Sequence, residues 1–74
     1  MSRLHRGDVI FTHCAGWRGY GVVLEQAGEL VSFRRETDAP DAKPSVVRRD
    51  AATYVPDVGR LEIPLGELWE KAQS

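Results

Sequence analysis

Residues 7–36 read GDVIFTHCAGWRGYGVVLEQAGELVSFRRE, and this stretch decides the fold. It divides into three apolar runs separated by two glycine-marked breaks. Val9-Ile10-Phe11-Thr12-His13 is rich in β-branched and aromatic residues, which favours strand over helix. Ala15-Gly16-Trp17-Arg18-Gly19 is the first break, where glycines supply the backbone freedom of a turn. In the second run, Tyr20 to Glu25, alternation puts Tyr20, Val22 and Leu24 on one face, and Gly21, Val23 and Glu25 on the other. A glycine inside a strand, here Gly21, marks a bulge or the tight bend of a small barrel. Gln26-Ala27-Gly28-Glu29 has hairpin length. Leu30 to Arg35 is then a third strand with Val31 and Phe33 as its core side.

On the N-terminal side, residues 1–6 read as a flexible arm. On the C-terminal side, residues 37–59 read as a long insertion containing Pro40, Pro44 and Pro56. So long a structureless segment is unusual in a compact domain, so part of it is expected to be ordered. Ser45-Val46-Val47-Arg48-Arg49 fits a strand, or a short helix capped by Ser45 with Val47, Ala51 and Tyr54 along one face; the strand is preferred. Leu61-Glu62-Ile63 alternates as a closing strand, Pro64 ends it, and Leu65 to Trp69 fits a short C-terminal helical turn whose Leu65 and Leu68 would plug the barrel. The expected architecture is a single all-β domain, an SH3-like antiparallel barrel of four to five strands.

The 74 residues include one cysteine, so no internal disulfide is possible, and no Cys/His spacing suggests a structural zinc site. A chain this short buries only about 60% of its unfolded surface. Its stability then rests on a tight core, on self-association as a homo-oligomer, or on both. The content of 42% hydrophobic and 28% charged residues argues against wholesale disorder. Apolar runs are far too short for a membrane span, and no apolar stretch follows Arg3 and Arg6, so a reduced, cytoplasmic setting is expected. A net charge of −1 excludes a protein that coats nucleic acid nonspecifically. The charges are segregated: residues 1–24 carry three arginines against Asp8, and residues 50–74 carry five acids against Arg60 and Lys71.

The order Gly7-Asp8, a β-run ending in His13, Gly19-x-Gly21-Val22-Val23, Val31-Ser32-Phe33 and Leu61-x-Ile63-Pro64-Leu65-x-x-Leu68 resembles SH3-like (Tudor-type) barrels. Those of CarD regulators, transcription-repair coupling factors and some bacterial helicases are the most similar. The resemblance spans some forty-five residues and implies a module that docks on RNA polymerase. A fainter resemblance, through Gly7-Asp8, Trp17-x-Gly19-x-x-Val22-Val23 and Leu61-Glu62-Ile63-Pro64, is to type II dihydrofolate reductases. It implies a tetrameric enzyme, although the Gln and Tyr of that family's ligand-binding strand are absent from Leu61–Pro64.

Adjacent residues on a strand point to opposite faces, so His13 and Cys14 are not a nucleophile–base pair. No catalytic constellation, metal site or cofactor is expected. Trp17 and Tyr20 flank the glycine-rich break and suit a stacking platform or an interface anchor, against the alternative of packing over the barrel mouth. Arg34-Arg35 and Arg48-Arg49 share a hairpin if residues 45–49 form a strand, and with Arg18 they suit phosphate or carboxylate recognition. The alternative is a solvated surface neutralised by Glu36 and Asp50. Trp69 is expected as a core cap or dimer contact. The leading expectation is non-catalytic protein docking to transcription machinery through an edge strand and the Trp17 turn. Nucleic-acid binding through Trp17, Tyr20 and the arginines comes second, and an oligomeric reductase third.

Overall fold

Ala15 and Gly16 alone make the first turn. Both have positive φ, 49° and 80°, and the residues on either side, Cys14 and Trp17, are paired across the hairpin. Positive φ at both positions of a two-residue loop matches the right-handed twist of the strands it joins. The turn is therefore shorter than the five-residue break read from the sequence, and Trp17, Arg18 and Gly19 belong to a strand. Ala15 is the strained member, since an L-residue with a Cβ is disfavoured in the left-handed region by roughly 1–2 kcal/mol. Ala15→Asn, which tolerates that region, is expected to stabilise the domain by about 0.5–1 kcal/mol. Thermal denaturation should register this as a rise of about 3–6 °C.

The computed structural model describes residues 3–39 and 41–56. Five strands lie within them: β1 (Val9–Cys14), β2 (Trp17–Ala27), β3 (Leu30–Arg35), β4 (Ser45–Arg48) and β5 (Ala52–Tyr54). A 3-10 turn, Arg49–Ala51, joins the last two. All pairings are antiparallel, in the order β4-β3-β2-β1-β5. The sheet curls on itself, giving a small all-β barrel, and the C-terminal part of β1 approaches β4: the Cys14 thiol lies 3.8 Å from the Val46 carbonyl oxygen. No helix among the described residues is long and apolar enough to cross a membrane.

The core sits inside this curl. Ile10, Val23, Val31 and Phe33 are fully buried there with Leu4 and Ala52, and Cys14, Trp17 and Val47 pack against them. The inward positions of Val31 and Phe33 are those expected from alternation, and Val23 faces inward with them. A bulge between Val23 and Glu25 shifts the β2–β3 register, so that Val23 faces Phe33 and Glu25 faces Ser32. The bulge thus lies two residues beyond Gly21. A smaller cluster, Val9 and Val22 with Tyr20, Leu24 and Val55, lies on the outer face. Thr12 is buried and donates a 2.8 Å hydrogen bond to the Ala51 carbonyl, which fixes the 3-10 turn beneath β1.

Two organisational expectations are corrected. Residues 3–6 are not a loose arm: Leu4 is 4% exposed within the core, its N–H donates to Gln26 Oε1 at 2.8 Å, and Arg3 donates to the Gln26 carbonyl. Burying Leu4 in the barrel gains more than leaving it in water. Of residues 37–59, the described ones contribute β4, the 3-10 turn and β5, which supply both edge strands where the sequence reads a long insertion. The strand reading of Ser45–Arg48 holds. The expected closing strand at Leu61–Ile63, the helical turn, the Leu65 and Leu68 plug and Trp69 all lie outside the described residues.

Candidate functional site

The β1–β2 hairpin sorts the candidate aromatics onto opposite faces. Trp17 pairs with Cys14 and shares the inner face with Gly19, Gly21 and Val23. Its indole stacks on Phe33, with centroids 6.4 Å apart and planes at 29°. The Arg35 guanidinium lies 5.2 Å from the indole centroid, and Arg35 Nε also donates to Ser45 Oγ at 3.1 Å. Trp17 is thus a half-buried lid over one mouth of the barrel, held between an aromatic ring and a cation. Trp17 is partly buried and packs against the core cluster.

Tyr20 is on the outer face, opposite Phe11. The two rings meet edge to face at 5.1 Å and 66°, and Phe11 contacts the His13 ring at 6.1 Å and 84°. His13 lies directly opposite Arg18. Two cross-strand pairs, Phe11–Tyr20 and His13–Arg18, therefore stand side by side. Phe11 and Tyr20 are half-buried, while His13 and Arg18 are exposed. Glu36 secures Tyr20: the Tyr20 N–H donates to Glu36 Oε2 at 3.1 Å, and the Glu36 N–H donates to the Tyr20 carbonyl at 2.9 Å. Sequence reasoning missed Phe11 and His13 as partners of Tyr20. The signal was present, because period-2 alternation puts Val9, Phe11 and His13 on one face; only the turn length was needed to set them opposite Tyr20 and Arg18.

The arginines do not form one cluster. Arg34 and Arg35 lie at one end of the β3–β4 hairpin and Arg48 and Arg49 at the other, with Phe33 opposite Ser45 and Leu30 opposite Arg48. Arg34 is buried and donates to the Ala42 carbonyl. Arg48 bridges Glu29 at 3.3 Å and Asp50 at 3.7 Å, at exposures where ion pairs contribute little. The Arg49 guanidinium donates to the Ala52 carbonyl at 2.8 Å. Gln26, Gly28, Glu29, Arg48, Arg49 and Asp50 line a cleft of about 230 Å³ at this end. Four of the five candidate guanidiniums thus serve groups of their own chain. Arg18 alone of the five has no hydrogen-bond or ion-pair partner among the described residues.

The edge strands are also partly occupied. Ala52 has its N–H bonded to the Arg49 carbonyl and its own carbonyl bonded to the Arg49 guanidinium. On β4, the Val46 carbonyl takes the Cys14 thiol. At these positions an added strand would find the backbone groups engaged within the chain. Among the described residues no three His, Cys, Asp or Glu side chains gather as metal ligands. Comparison of the chain with family profiles, with curated proteins and with solved structures returns no match, so the geometry of this face is what the functional reading rests on.

Proposed function

We propose that the protein is a non-catalytic docking module that binds a protein partner through the outer face of the β1–β2 hairpin. One observation carries this over nucleic-acid binding: Arg34, Arg35, Arg48 and Arg49 are engaged within the chain, leaving Arg18 beside the Phe11–Tyr20 pair. A phosphate backbone requires several free cations along a track. A protein interface needs half-buried aromatic anchors with a polar rim, and Phe11, Tyr20, His13 and Arg18 supply both. Edge-to-face packing also denies bases a flat platform.

The resemblance to CarD-type barrels makes RNA polymerase the partner to try first. Purified polymerase is expected to be retained by the immobilised wild-type protein after nuclease treatment. Retention should fall at least tenfold with Tyr20→Ala or Arg18→Glu, each checked for intact folding by circular dichroism. Retention that depends on nucleic acid, or that neither substitution alters, would sink the reading.

A further inference from the structure

We infer that the outer face of the β1–β2 hairpin recognises an acidic segment with an apolar anchor: the His13–Arg18 pair takes the carboxylates and the Phe11–Tyr20 pair takes the apolar side chain. This deepens the docking reading and rests on it. The charge pattern of the face carries the argument. His13 and Arg18 are exposed and directly opposite one another at its turn end. Neither has an ion-pair partner among the described residues.

The neighbouring strands do not neutralise them. On β2 the outward acid is Glu25, at the far end beyond the bulge, opposite Ser32. Next to β3, the Glu36 carboxylate accepts the Tyr20 N–H and forms no ion pair with Arg18 among the described residues. On β5, the residue paired with Phe11 is the neutral Thr53. Arg18 therefore places a positive charge with no ion-pair partner among the described residues beside an apolar step, where it can meet a carboxylate. The Phe11 and Tyr20 rings give the adjacent apolar group something to pack on. Electrostatic complementarity of this kind selects partners more than it raises affinity.

The test uses a phage-displayed library of random 12-residue peptides selected against the full chain. Enriched peptides are expected to carry net negative charge and at least one large apolar residue. Synthetic copies should bind Arg18→Lys within about threefold of wild type, and Arg18→Glu at least tenfold more weakly. Lys43→Glu, an exposed charge reversal in the β3–β4 loop, should leave them unchanged. Amide shifts on titration should centre on Phe11, His13, Arg18 and Tyr20. No enrichment, enrichment of neutral or basic peptides, equal loss with Lys43→Glu, or shifts centred elsewhere would overturn the inference. Polymerase retention that Tyr20→Ala abolishes and Arg18→Glu leaves intact would reject the acidic recognition while keeping the docking face.

Discussion

Gly21→Ala is expected to unfold much of the population at 37 °C. A Cβ at this position would lie 2.6 Å from the Phe33 ring and 2.9 Å from the Arg34 backbone carbonyl oxygen. Phe33 is fully buried and cannot swing away, and the carbonyl belongs to the adjacent strand. Overpacking of this kind costs about 1–3 kcal/mol and occasionally more, and with backbone among the blocking atoms the upper end applies. A domain of this size has little in reserve, about 3–5 kcal/mol from one core. Urea unfolding should show the midpoint fall by more than half with an unchanged slope. Combining Gly21→Ala with Phe33→Leu should destabilise by at least ~1 kcal/mol less than the sum of the single changes, because the two sites share one space. Strict additivity would show that the ring is not what excludes the Cβ. Gly19→Ala should be milder, since its Cβ would meet only the outer edge of the Trp17 ring, at 2.7 Å.

These two glycines also show what the sequence could and could not convey. Alternation correctly puts Gly21 and Val23 on one side of β2, and Val31 and Phe33 on the core side of β3. The β-branched and aromatic runs make an all-β barrel legible, because strand patterning is a local property with period two. Alternation does not reveal that Gly19 and Gly21 lie under aromatic rings, since ring placement depends on which strand packs opposite. Trp17 reads as a turn residue for a related reason. The two-residue loop depends on positive φ at Ala15 and Gly16, and Ala at a left-handed position carries no compositional flag. The shorter turn moves Trp17 inward and separates it from Tyr20. The arginines are legible as pairs but not as partners of Trp17, Ala42, Glu29 and Ala52, because those contacts form between segments distant in sequence or at loop carbonyls. Leu4 is hidden similarly: a single apolar residue has no period.

Trp17→Ala is the second large effect, and its sign separates packing from recognition. The substitution removes an indole that stacks on Phe33 and carries the Arg35 guanidinium over one mouth of the barrel. Truncation of a fully buried Trp costs about 3–5 kcal/mol. Half-burial scales this to about 2–3 kcal/mol, including a fraction of a kcal/mol for the cation–ring contact. Trp17→Phe keeps a ring on Phe33 and should lose about half as much. Fluorescence-independent readouts, such as circular dichroism melts, should report a fall of about 10–20 °C for Trp17→Ala. At a temperature where the variant remains folded, partner binding should stay within about threefold of wild type, because the indole packs on the inner face and the proposed docking face lies on the other side of β2. Arg35→Gln should lower stability by about 1 kcal/mol in the wild-type background and by less when combined with Trp17→Ala, as expected of a pair in contact. If Trp17→Ala instead abolished binding with no change in melting temperature, the indole would be a recognition residue and the inner-face assignment would fail. The two faces of one strand thus make separable predictions: Trp17 and Gly21 are expected to control whether the barrel forms, and Tyr20 and Arg18, on the proposed docking face, what it holds.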